Sequence, residues 1–150
     1  MSNEIRGIMI PVTDEKKILL PNAIIAEVVS IKELAEMEDS PKWLIGSIDW
    51  RGYQIPVVDY ESLVSGGKLS ESDRTNRVAI IKSLTNDADL PYFALVSNGV
   101  PRLQLITQGD LQVHENEGNE SNAVASKVTI QDELTEIPNI RYIVHALLEL

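Results

Sequence analysis

Two histidines, His114 and His145, are all that the chain offers to a Ser-His-Asp arrangement or a histidine metal site. His114 stands at the lip of an acidic stretch and His145 inside an apolar run, positions that suit a solvated or packed ring better than a catalytic one. Gly66-Gly67 lacks the Lys-Ser or Lys-Thr follower of a phosphate loop, and no nucleophile elbow, HExxH or dinucleotide fingerprint occurs. Glu36, Glu38 and Asp39 read as a solvated helix end rather than as paired catalytic carboxylates. This residue supply points away from an enzyme and implies no metal and no cofactor. Binding chemistry remains, and it concentrates in residues 47–60, SIDWRGYQIPVVDY. Alternation there places Ile48 and Trp50 on one side of a half-buried strand and Asp49 and Arg51 on the other. Gly52 accepts positive φ, so Arg51-Gly52-Tyr53 forms a tight connection into a second strand, Gln54 to Tyr60. Arg51 then sits at a hairpin tip, where its planar fork of donors either meets a partner's carboxylate or carbonyl or pairs internally with Asp59 or Asp49.

The elements that must position this tip are short, apolar and β-branched: Ile5 to Val12, Lys17 to Ile25, Glu27 to Ile31, Gly46 to Trp50, Gln54 to Tyr60, Arg77 to Ser83, Tyr92 to Ser97 and Arg102 to Thr107. Connections of hairpin size or slightly longer join them, with no long helical crossover, so the chain is expected to be mainly β and antiparallel. Ile8, Ile10, Leu20, Ile25, Val28, Ile48, Ile55, Val57, Ile80, Leu95, Val96 and Val100 are the expected core, with Trp43 and Trp50 in the core or at a subdomain junction. Good helix formers from Ile31 to Glu38, stopping near Pro41, predict a short helix. Residues 65–76 and 115–126 read as polar surface loops. The tail IRYIVHALLEL fits both periods: Ile140, Ile143, Val144, Leu147 and Leu148 make a helical stripe, while its β-branched residues and Tyr142 also suit a strand.

At 150 residues the chain suits one domain, 1–150, able to bury a core without staples. It has no cysteine, which rules out disulfides and cysteine zinc sites and favours an intracellular address. Its start, MSNEIRGIMIPV, carries Glu4 and Arg6 and is broken by Pro11, so neither a secretory segment nor a membrane span is expected. A formal net charge of −10 argues against phosphate backbones and anionic lipid as partners, and seven aromatic residues supply no stacking platform for nucleic acid.

Gly46-Ser47-Ile48-Asp49-Trp50-Arg51-Gly52, followed after Tyr53-Gln54-Ile55 by Pro56-Val57-Val58-Asp59, resembles the signature hairpin of CheW-like domains. LPNAIIAEVVSI (20–31), the proline-led turn from Pro41 to Ile45, and YFALVSNGVPRLQLI (92–106) resemble other segments of that family; the likeness loosens after Gln108. The resemblance implies two intertwined five-stranded antiparallel, SH3-like β-barrel subdomains sharing one core, with short helices. It implies a non-enzymatic cytoplasmic adaptor joining the cytoplasmic tip of a methyl-accepting chemoreceptor to the regulatory domain of a CheA-type histidine kinase. The wording Ile-Asp-Trp-Arg-Gly is most similar to ChpC-like members, which serve type IV pilus twitching motility. Glu27, Asp49, Arg51 and Gly52 are the partner-binding residues so implied. For Glu27 the plainer alternative is a charge that guards an edge strand. The resemblance also favours a strand from about Ile140 to His145 with a short helical end over Ala146 to Leu150. Two departures stand out: Asp49 where the family usually has Asn, and Asn98 where Asp commonly precedes Gly99. The alternative function is a sensor that binds a small ligand in a pocket between the subdomains.

Overall fold

The computed structural model describes residues 4–13, 15–31, 34–35, 39–65, 77–85, 89–107, 109, 111–114 and 122–150. Among these, eleven strands form two sheets. The chain opens in the first sheet with β1 (Ile5–Pro11) and β2 (Lys17–Pro21), then crosses through a 3-10 turn (Asn22–Ile24) into the second. That second sheet holds β3 (Ile25–Ser30), β4 (Leu44–Trp50), β5 (Tyr53–Val58), β6 (Arg77–Lys82) and β7 (Tyr92–Ser97), in the order β3-β6-β7-β5-β4, with helix α1 (Tyr60–Ser65) after β5. The chain then returns to the first sheet as β8 (Arg102–Ile106), β9 (Leu111–His114), β10 (Val124–Ile130) and β11 (Glu133–Pro138), giving the order β8-β1-β2-β11-β10-β9. Helix α2 (Ile140–Leu148) closes the chain.

The fold is mainly β with two sheet subdomains, as expected. One sheet has six strands rather than five, and each includes one short parallel pairing, β2 with β11 and β5 with β7, where strands far apart in sequence meet. Three clusters show why so many strands are apolar on both faces. Ile10, Ile18 and Leu20 meet Val58, Ala79, Ile81 and Leu95 between the sheets, joined by Tyr60 of α1 and Ile143, Val144 and Leu147 of α2. Ile48, Ile55, Val57, Val78, Ile80 and Ala94 fill the inside of the five-stranded sheet. Met9, Leu19, Ile106, Val128 and Ile130 fill the inside of the other. A strand such as β6 serves two cores at once, so its interior is buried at four consecutive positions instead of alternating.

Several expectations change. Val28 and Val100 are exposed; both lie on sheet or turn surfaces past the reach of the shared core, whereas Ile10, Leu20, Ile48, Ile55, Val57, Ile80 and Leu95 are buried, and Ile8, Ile25 and Val96 are partly so. The expected helix from Ile31 to Glu38 does not form in its described part: Ala35 exchanges backbone hydrogen bonds with Ser47 on the edge of β4, at 3.0 and 2.9 Å, and residues 32, 33 and 36–38 lie outside the described residues. The strand expected from Ile140 to His145 is helix. Asn139 caps it, its side-chain oxygen accepting from the Tyr142 N–H at 3.1 Å, and the stripe Ile143, Val144, Leu147 packs into the shared core. The expected loop 115–126 gives way at its end to strand from Val124, while 115–121 and most of the other expected loop, 66–76, lie outside the described residues.

Candidate partner-binding site

The β4–β5 hairpin turns in two residues. Trp50 pairs with Tyr53, and both intervening residues take positive φ, Arg51 at 48° and Gly52 at 83°. Positive φ at both positions defines the turn whose twist suits a two-residue hairpin. At Gly52 a Cβ would meet nothing within 4 Å, so glycine is needed there for its φ and not for room. Arg51 pays the opposite way: a long side chain is held in the left-handed region that asparagine or glycine would occupy more readily.

The tip is braced by aromatic rings. Trp50 and Tyr53 each meet Tyr92 at the start of β7, edge to face, with centroids 5.0 and 5.3 Å apart. The Arg51 guanidinium lies over the Trp50 ring, 4.8 Å from its centroid, within cation–π range. Arg51 therefore lies against Trp50 and not on the side away from it, because a residue in the turn leaves the alternation of the strand. It forms no ion pair among the described residues, so neither Asp59 nor Asp49 holds it. Asp49 instead takes the Gln54 side-chain amide, and Gln54 in turn accepts from the Ser47 hydroxyl at 3.1 Å.

Glu27 has an internal partner. The Trp50 indole N–H donates to its Oε2 at 2.6 Å, spanning from β3 to β4, the two outer strands of the five-stranded sheet. Trp50 thus links the two charged residues that the sequence singles out: an acid on its indole N–H and a cation on its face. Gly52 belongs to the same tip as a hinge of the turn, and Asp49 flanks it. Beside them, Val29, Ile31, Leu34, Ser47, Ile48 and Gln54 help line a cavity of about 550 Å³ along the β3/β4 seam. Gly46 sits at the back of this seam with φ 155°; a Cβ there would come within 2.5 Å of the Ala35 carbonyl, so only glycine allows that segment to lie on β4.

Sequence reasoning missed two features. Tyr53 faces Trp50 across a two-residue turn and could have been read as its cross-strand neighbour, but the place of Tyr92 depends on β7 lying beside β5. Leu103 and Leu105 of β8 are 59% and 49% exposed, and Leu103 pairs with Ile8, which packs on the shared core. Val28 pairs with Ala79 of the same core. These three leave apolar side chains exposed to solvent on both sheets.

A second polar cluster lies where the sheets join. Lys16 Nζ is 2.8 Å from Glu61 and 3.4 Å from Glu136, and the Tyr60 hydroxyl donates to Glu136 at 2.9 Å. Burial alone would depress the Lys16 ammonium, but the close Glu61 and Glu136 carboxylates outweigh it and hold the group above its ordinary value. Burial first, and then the Glu136 charge, push the Tyr60 phenol far above its ordinary range. His145 is exposed, with Nδ1 3.2 Å from Glu149, and the His114 side chain lies outside the described residues.

The signature hairpin, the two-sheet topology and the shared core coincide with one family: residues 6–147 match the CheW-like domain. The chain belongs to the CheW-like domain family. Among solved structures it is similar to the scaffolding protein TtCheW from Thermoanaerobacter tengcongensis, with a TM-score of 0.72 and 17% identity over 95% of this chain and 88% of that one, a likeness of fold. No curated protein matches the chain. No described helix is long and apolar enough to cross a membrane.

Proposed function

We propose that this CheW-like domain is a single-domain cytoplasmic adaptor without catalytic activity, coupling the cytoplasmic tip of a chemoreceptor to the regulatory domain of a CheA-type histidine kinase. The type IV pilus system is the setting that the Ile-Asp-Trp-Arg-Gly wording favours. The observation that carries the reading is Arg51: a guanidinium kept in an unfavourable backbone conformation at an exposed tip, braced by Trp50, Tyr53 and Tyr92. Strain of this kind persists where the surrounding structure over-determines it and binding uses it. Arg, Trp and Tyr are also the residues that most often anchor interfaces. In a chain of net charge −10 the tip offers an acidic partner a local cation that orients its approach. The exposed Val28, Leu103 and Leu105 supply apolar area on which a helical receptor tip rests.

The test is binding of the purified kinase regulatory domain and of a receptor fragment to Arg51→Glu. Affinity for at least one of them should fall by about tenfold or more, with the melting temperature nearly unchanged. Unchanged affinity for both in the folded variant rejects the tip as the contact. The cavity of about 550 Å³ favours a second reading, a sensor of a small ligand, since its size suits one; it lies within one sheet's seam and not between the subdomains. A metabolite that raises the melting temperature while neither protein partner binds would select the sensor.

A further inference from the structure

Helix α2 buries Ile143, Val144 and Leu147 and turns Arg141, Tyr142, His145, Leu148 and Glu149 to solvent. Beside it Leu84 is 69% exposed and held at φ 60°, a conformation that a leucine rarely adopts. Leu84, Ile140, Arg141, Val144, His145 and Leu148 line a groove of about 370 Å³ between the helix and the segment that follows β6.

The charges on this face oppose the helix that carries them. Arg141 lies in the first turn, where unsatisfied N–H groups make the end positive, and Glu149 is the C-cap, where carbonyls make the end negative. Each has the wrong sign for its own helix and the right sign for the opposite end of an antiparallel neighbour. His145 lies midway between them in sequence, four residues from each. A second α2 laid antiparallel across His145 brings the Arg141 end of each copy to the Glu149 end of the other, and Leu148, Tyr142 and Leu84 supply apolar contact. A parallel neighbour would place like end beside like end. Such a face is complementary to itself under a two-fold axis, the arrangement that a symmetric dimer requires.

We propose that α2 and Leu84 form a self-association face, and that its occupant is a second copy of this chain. The contact is small, so the dimer is weak. It does not depend on the adaptor reading, since no receptor or kinase enters its test.

Sedimentation equilibrium of the full chain, at loading concentrations up to on the order of 1 mM, should show a reversible monomer–dimer equilibrium. Arg141→Glu and Glu149→Arg should each weaken it by about tenfold or more, because each places like charges at both ends of the contact. The double variant Arg141→Glu/Glu149→Arg should return the affinity to within about threefold of the parent, the coupling expected of an interacting pair. Leu84→Asp, at an exposed site, should also abolish the dimer, and it keeps the test decisive if a helix variant does not fold. A parent that stays monomeric at the highest concentration, a charge swap that does not restore association, or a Leu84→Asp dimer of parental strength each overturns the proposal.

Discussion

Two places where charge gathers among the described residues are built in opposite ways. The Lys16, Glu61, Glu136 and Tyr60 cluster joins α1 to the six-stranded sheet at the edge of the shared core, and each member has its partner inside the protein. At the β4–β5 tip the same kinds of groups are spread around one indole: Glu27 is bonded to its N–H, while Arg51 rests on its face with its donors open to solvent. The first cluster spends its hydrogen-bonding capacity on holding two sheets together. The second keeps a guanidinium available, at a local backbone cost. Charge density alone does not separate a structural site from a binding site; the fraction of donors already satisfied does.

The sharpest way to break this contrast is Glu136→Ala. It leaves the Lys16 ammonium with one carboxylate fewer and the buried Tyr60 hydroxyl without its acceptor. Stability should fall by about 3 kcal/mol, the lower end for opening a buried pair, since Lys16 remains about a quarter exposed. Urea denaturation measures this, and a loss below about half a kcal/mol would show that the cluster is no clamp.

Next in size is an alkaline limit to stability. The folded values of Lys16 and Tyr60 both lie above their ordinary 10.5 and 10.0, so the folded state holds these protons more tightly than the unfolded chain does. Their contribution is complete below the unfolded values and disappears as pH rises through the folded ones. Melting temperature should thus begin to drop near pH 10, and Tyr60→Phe should soften that drop, because it removes one of the two titrating groups.

At the tip the effects on stability are smaller and of a different kind. Gly52→Ala should cost about 1 kcal/mol through its positive φ alone, there being open space around the added methyl. Arg51→Asn sharpens the comparison furthest: asparagine tolerates the left-handed conformation, so stability should stay within about 0.5 kcal/mol of the parent, while partner affinity falls as it does for Arg51→Glu. A stability loss equal to that of Glu136→Ala would place Arg51 in the same structural class as the buried cluster.

Much of this was legible locally. The two-residue turn at Arg51-Gly52 follows from a glycine between two apolar strands, and Ile48 and Ile55, which face each other in the hairpin, were both recognisable as core. The strands β9 to β11 were not, because polar residues such as Gln112, Ser126, Lys127, Thr129, Glu133, Thr135 and Glu136 interrupt their apolar pattern, and their buried face, Val128 and Ile130, is completed by Met9, Leu19 and Ile106 from distant segments. The tail carried both periods at once. Packing of Ile143, Val144 and Leu147 against the shared core, and the Asn139 cap, resolved it as helix.

The amino-acid sequence by itself determined what could be built from neighbours along the chain: a β-rich domain of the CheW-like family and a hairpin with an arginine at its tip. Only the tertiary structure decided which groups satisfy one another. The Trp50–Glu27 hydrogen bond spans 23 residues and the Tyr60–Glu136 bond spans 76, and no local period encodes either. Propensity and alternation act over a few residues, whereas the choice of partner for a buried hydroxyl or an indole N–H is made by strand order, which the chain settles only when its distant segments pack.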